Sequence, residues 1–238
     1  MTSFEGFPKG GVDFFRALTL NQDREWFKAH KADYEQLWHA PITALIETVH
    51  ARVKPLFPES KATKPKVFRV YRDVRFSKDK TPYKTYAAAM VPLFSGAGTP
   101  EGSTGFYCEF GLDGAFAAAG RWAMEGDVLQ RYRKTVADEK TGAPFAAEVK
   151  RLEKAGFELS SLGKLTRVPP AFDKQHPRAE LLRHKGCAFA FPKIPEKDWR
   201  NGKKLTDGLL ASLTTLAPTL RWVDAVARGK RPVPPRAR

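Results

Sequence analysis

The period of the sequence changes twice. Segments 66–76, 86–94, 105–112 and 115–120 are short, rich in β-branched and aromatic residues, and parted by turn chemistry. The chain before and after them repeats its apolar residues every three or four positions. Strands gathered between two runs of helices, without strand–helix alternation, specify an α+β fold rather than a doubly wound parallel sheet. The expectation is a single domain over residues 4–227. In it a mostly antiparallel β-meander, joined by a last strand at 187–191, is packed by N-terminal and C-terminal helices. Residues 228–238 are basic and Pro-rich and read as a disordered tail.

The flanking helices have their own signals. Val12, Phe15 and Leu18 share one face of a short helix, and Asn21 stands where it can cap the next, with Asp23 and Glu25 in its first turn. Trp26, Tyr34, Leu37, Trp38, Ile42, Leu45, Ile46, Val49 and Val53 then mark a long helix, kinked or restarted at Pro41. Further helices are expected at 127–138, 143–155, 178–185 and 205–226, the last broken near Pro218. Residues 163–177 read as extended loop. Asp113-Gly114 signals a hairpin. The Gly-rich stretch 95–105 lies between two strands and lacks the Lys-Ser/Thr of a phosphate-cradling loop, so it reads as a hairpin loop.

The 238 residues carry a net charge of +15, and the excess is uneven. Residues 61–90 hold nine Lys/Arg against two Asp/Glu, and 161–238 hold seventeen against six, while the remainder is close to neutral. Such asymmetry favours an anionic partner, either a phosphorylated small molecule or a nucleic acid, over simple solubility charge. No apolar run reaches the roughly 18 residues of a membrane span. The first residues lack the basic and apolar regions of a secretory signal. Cys108 and Cys187 sit in apolar runs and read as buried thiols, which suits the cytoplasm. His30, His39, His50 and His184 lack metal-ligand spacing, so neither metal nor cofactor is expected.

Residues 68–84, FRVYRDVRFSKDKTPYK, thread charge through a strand-like pattern. Alternation along a strand places Phe68, Val70, Val74 and Phe76 on one face, with Arg72 among them. Arg69, Tyr71, Asp73, Arg75 and Ser77 fall on the other. Arg offers a planar fork for phosphate or carboxylate, and Tyr and Ser add neutral donors. Asp73 can orient one Arg and leave another for a ligand. Asp79-Lys80-Thr81-Pro82 is turn chemistry, and Lys78, Lys80, Tyr83 and Lys84 would surround the strand's end. The plain alternative is an internal lattice of ion pairs, which Arg72 on the apolar face favours. A second constellation holds Arg167, Asp173, His176, Arg178, Glu180 and Lys185. Its Asp173–His176 pair can serve as acid and base or, more commonly, as a loop-to-helix cap.

These residues resemble a family. NQDREWFKAHKADYE (21–35), FRVYRDVRFSKDKTPYKT (68–85), the strands at 105–107 and 117–120, and LTRVPPAFDKQHPRAELLRHKG (165–186) are similar to the conserved-hypothetical family called domain of unknown function 2461, found in bacteria and fungi. The likeness covers roughly residues 4–225 and so implies one domain; it implies no particular chemistry. It places Trp26, Lys31 and Tyr34 on a first motif and Arg69 to Lys84 on a second. Arg167, Asp173, His176, Pro177 and Lys185 fall on a last one. Gln22 departs from a common Asn, and Pro170-Ala171 from a basic residue and Gly.

The functional expectation is a site for a phosphorylated or otherwise anionic small ligand, bound by Arg69, Tyr71, Asp73, Arg75, Ser77, Lys80, Tyr83, Lys84 and Arg167. His176 and Asp173 are its candidate acid–base pair. In this reading both basic segments converge on one cleft. A nucleic-acid-binding surface and an internally satisfied scaffold stay open beside it.

Overall fold

The computed structural model describes residues 4–94 and 103–235. Among these residues six strands form one antiparallel sheet: β1 (Lys66–Val67), β2 (Tyr86–Pro92), β3 (Gly105–Gly111), β4 (Gly114–Arg121), β5 (Glu158–Ser160) and β6 (Cys187–Ala190), in the order β1-β2-β3-β4-β6-β5. The α+β fold and its single domain are as the sequence implies. β5 is an addition: three residues at a sheet edge give too short an alternation to stand out.

Register decides which side chains share a face. Ala89 lies opposite Cys108, Cys108 opposite Ala117, and Ala119 opposite Phe189. With Ala87, Val91, Phe106 and Phe110 these form a buried apolar face. Two helices cover it, α4 (Ala40–Val53) on β2 and α9 (Gly202–Ala227) on β4. The alternate residues, Met90, Tyr107, Glu109, Phe116, Ala118 and Ala188, project from the opposite face.

Helix boundaries refine the expectations. α1 (Gly11–Leu20) buries Phe14, Phe15 and Leu18, and Phe15 stacks on Trp38 at 4.5 Å. The cap of α2 (Arg24–Ala29) is Asp23, which accepts from the Trp26 N–H at 2.8 Å. Asn21 instead closes α1, donating its side-chain amide to Ala17. After α3 (Lys31–Tyr34) comes one π turn over Glu35–His39, where the Ala40 N–H reaches back five residues to Glu35. Pro41 follows with no N–H to continue the ladder, and a π turn is the local adjustment. At Pro218 the expected break is absent: α9 runs through it, held on both sides by fully buried Leu216 and Leu220. α5 (Gly126–Ala137) and α6 (Glu139–Lys154) meet at Asp138, which caps α6 through Thr141. Phe145 of α6 stacks on Trp222 of α9 at 3.9 Å. The short α7 (Ala179–Arg183) precedes β6, and α8 (Glu196–Trp199) precedes α9.

The expected strand over 66–76 is corrected to Lys66–Val67. Beyond it the chain still runs beside the approach to β2: Phe68 donates to Ala88, Lys84 to Val70 and Arg72 to Pro82. Tyr71 and Tyr83 form an isolated bridge. From Phe68 opposite Ala88 to Tyr71 opposite Tyr83 there are three steps on one side and five on the other. A two-residue bulge therefore breaks the alternation. Residues 73–81 form a loop, so the expectation that Arg69 and Arg75 share a sheet face lapses. Most of the 95–105 loop and the last residues of the expected tail lie outside the described residues. Within the described part of the tail, Pro232 and Pro235 are buried.

Candidate functional site on the open face of the sheet

The face turned away from α4 and α9 holds a cavity of about 470 Å³. That lies within the roughly 300–1,000 Å³ of small-molecule sites. The cavity exists because of residue size. Ala118, Gly120 and Ala188 give it a low floor, while Phe68, Met90, Tyr107, Phe116 and Trp122 stand around it. Gly120 has φ +145°, and a Cβ there would lie 2.3 Å from the Ala188 Cα. Only glycine allows β4 and β6 to pair at that point.

One polar pair enters this apolar lining. Tyr107 donates its hydroxyl to Glu109 Oε2 at 2.5 Å. The two residues are two apart on one strand, so the pleat brings them side by side. Burial, and then the bonded carboxylate, push the Tyr107 phenol far above its usual range, so it stays protonated and a donor.

Cations gather where Phe68 closes one side. The Lys66 ammonium stands 5.0 Å from the Phe68 ring centre and that of Lys84 5.7 Å, the latter also 5.7 Å from the Tyr86 ring. Phe68 in turn meets Tyr107 edge-on at 5.9 Å. The Lys84 pKa is lowered, first by burial and then by Arg69, against an opposing pull from Glu109. Among the described residues Arg69 and Lys84 have no ion-pair partner.

The rest of the central motif is tied to itself. Arg75 grips Asp73 with two bonds, at 3.0 and 2.7 Å, and holds its carboxyl down at about 2. Arg72 bonds Asp79 and Thr81, and Asp79 also accepts from the Thr81 N–H at 2.9 Å, which holds it at about 2. Lys80 donates to the Val74 carbonyl at 2.9 Å. Tyr83 is a core residue, stacked on Phe27 at 4.3 Å. Its backbone is held from both sides by Gln22, whose Oε1 accepts from the Tyr83 N–H at 3.0 Å and whose Nε2 donates to its carbonyl at 3.4 Å. Tyr71 and Ser77 neither line the cavity nor pair with the cations.

A family model described as "Conserved hypothetical protein (DUF2461)" matches residues 11–222. The chain belongs to the DUF2461 family. No curated protein matches it.

The last DUF2461 motif builds a corner rather than a wall of the cavity. His176 Nδ1 accepts from the Arg178 N–H at 3.0 Å, and Nε2 faces the Ala137 carbonyl at 3.2 Å. Both ring nitrogens are thus spent on backbone, and the tautomer with hydrogen on Nε2 is fixed. Asp173 accepts from the Gln175 N–H at 2.8 Å and does not bond the ring. Buried Arg178 donates to Val136, Ala137 and Glu139, locking α7 to the end of α5. The expected acid–base role of Asp173 and His176 is replaced by this cap. Neither they nor Arg167 lines the cavity, so the expected shared cleft is not built around it.

Of the expected site residues, Lys84 stands beside the cavity wall at Phe68, Arg69 is exposed within electrostatic reach of both Lys84 and Asp73, and Asp73, Arg75 and Lys80 belong to the loop lattice. The sequence reading overlooked Tyr107, Glu109, Phe116 and Trp122. A signal was present in GFYCEFG: Phe106, Cys108 and Phe110 alternate with Tyr107 and Glu109, a polar pair on the second face of a central strand.

Among the described residues no helix is long and apolar enough to cross a membrane, and no cluster of His, Cys, Asp and Glu could hold a metal ion.

Proposed function

We propose that this protein binds a small ligand combining an aromatic or otherwise apolar body with an anionic group, in the cavity on the open face of the sheet. The observation that carries the reading is the pairing of an aromatic-walled cavity with Lys84, a half-buried ammonium 5.7 Å from the Phe68 ring and without an ion-pair partner among the described residues. A partly buried ammonium loses hydration, which lowers its pKa, and it is stabilised when an anion joins it. An anion there would also restore Lys84 toward its ordinary pKa. The ring lining supplies the larger part of the contact area, and Lys84 supplies orientation. The buried, unpaired thiols Cys108 and Cys187 support a cytoplasmic setting for this activity.

The test is calorimetric titration with 2-naphthyl phosphate, which has both features. Lys84→Met is expected to weaken binding about tenfold or more, the scale of one hydrogen bond to a charged group. Lys150→Met, on the exposed side of α6, leaves it unchanged. No measurable binding by the folded wild-type protein overturns the proposal.

A second reading rests on Phe76, which is 96% exposed on the 73–81 loop beside Arg75, Lys78 and Lys80. An exposed ring among cations is the unit on which single-stranded nucleic acid stacks.

A further inference from the structure

We infer that the ligand is a free α-amino acid with a large aromatic side chain. This rests on the cavity being the binding site. It adds the head group that the polar end of the cavity requires.

Register gathers the charges at one end. Phe68 donates to Ala88, Ala88 lies opposite Glu109, and Glu109 lies opposite Phe116, so these residues stand in one row across the sheet. Lys84 stands beside the row, its ammonium 5.7 Å from the Phe68 ring and within electrostatic reach of Glu109. The two charges form no ion pair among the described residues. Glu109 Oε2 is taken by Tyr107, while Oε1 has no hydrogen-bond partner among the described residues. Further along the strands the lining is apolar. Ala118 comes first, then Gly120 beside Ala188, with Trp122 beyond. From Glu109 to Gly105, which lies opposite Gly120, is about 13 Å of strand. A flat ring system with a short head fits that length.

Both charges must therefore be answered from the same end of the occupant. A carboxylate oxygen in an apolar cavity costs free energy when a ligand strips its water and returns no donor. A half-buried ammonium likewise needs an anion. A plain carboxylate or phosphate answers Lys84 and returns nothing to Glu109. A plain amine answers Glu109 and sets a second cation against Lys84. An α-amino acid carries an ammonium and a carboxylate on one carbon, so each end of its head makes a charge-assisted bond. The zwitterion also adds no net charge to a carboxylate and an ammonium that already balance. Its aromatic side chain then lies over the small residues of the floor, toward Trp122.

The experiment is calorimetric titration of the full chain with compounds that share the aromatic body of 2-naphthyl phosphate. 3-(2-Naphthyl)alanine is expected to bind about tenfold more tightly than 3-(2-naphthyl)propanoate, which lacks the ammonium. It is also expected to bind more tightly than 2-(2-naphthyl)ethylamine, which lacks the carboxylate. In Glu109→Gln the Tyr107 hydroxyl occupies the amide oxygen, so an NH2 faces the ammonium. That variant is expected to keep the propanoate and lose the preference for the amino acid. If 2-naphthyl phosphate binds but naphthylalanine binds no better than the propanoate, or if its advantage survives in Glu109→Gln, the amino-acid inference is overturned and the cavity reading stands. If none of these compounds binds, both fall.

Discussion

Tyr107 and Glu109 stand two residues apart on β3 and share a hydrogen bond of 2.5 Å on the face of the sheet that the helices leave open. Their neighbours Phe106, Cys108 and Phe110 are fully buried on the other face. One seven-residue strand thus builds the core with one set of side chains and the cavity with the alternate set.

Removing that hydroxyl is expected to change binding more than folding. Tyr107→Phe keeps the ring packed against Phe68 and leaves Glu109 with both oxygens unsatisfied in an apolar setting. Stability to urea is expected to fall by only about 1 kcal/mol. The affinity for 2-naphthyl phosphate is expected to fall as well, because an unshielded carboxylate repels an anion. Unchanged affinity would mean the probe does not sit beside this pair.

Gln22 should matter for stability although it does not line the cavity. Its amide serves as a one-residue strand for Tyr83, and Gln22→Ala leaves a backbone N–H and carbonyl without those partners. Urea denaturation is expected to show a loss of about 1–3 kcal/mol, with Gln22→Asn recovering part of it.

His176→Ala is expected to lower stability by about 1–2 kcal/mol, the net value of two hydrogen bonds, and to leave ligand affinity as it was. A loss of affinity without a loss of stability would return His176 to the site and contradict the cap assigned to it.

Stability is expected to depend on pH through His184. Burial, and then Lys164, lower its pKa in the folded protein, with Glu180 opposing and Arg183 adding to the shift. The unfolded chain then takes up a proton near pH 6.5 while the folded protein still resists it. The contribution is complete above that pH and declines as pH falls below it. His184→Gln should flatten this part of the curve, as read by urea midpoints between pH 7.5 and 5.

The nucleic-acid reading separates cleanly from the cavity. Phe76→Ala is expected to weaken binding of an oligothymidylate, as measured by fluorescence anisotropy, while the affinity for 2-naphthyl phosphate is unchanged. An oligothymidylate that binds wild type and Phe76→Ala alike is held by charge alone.

The sheet and the helices were legible because each rests on a repeated period that packing enforces, as in the Leu205 to Val223 stripe of α9. The site was legible only in part. Lys84 stood out by charge, but alternation could not foresee the bulge that ends β1 after Val67 and turns Asp73–Arg75 into a loop pair. The cavity itself comes from small residues on two strands, Ala118 and Gly120 of β4 and Ala188 of β6, that lie far apart in sequence or look like ordinary strand filler. A void announces itself by what is missing, and composition does not record that. His176 misled for the opposite reason: a histidine beside an aspartate suggests chemistry, whereas its two nitrogens serve backbone groups of α5 and α7.

Filling the void tests the central claim most directly. Ala118 points into the cavity from the middle of β4, away from the packed face. Ala118→Phe should occupy the floor without touching the residues under α4 and α9. Calorimetric titration of this variant with 2-naphthyl phosphate, alongside a urea curve, is predicted to show loss of binding with the fold retained. A folded Ala118→Phe protein that binds the probe as tightly as wild type would contradict the account.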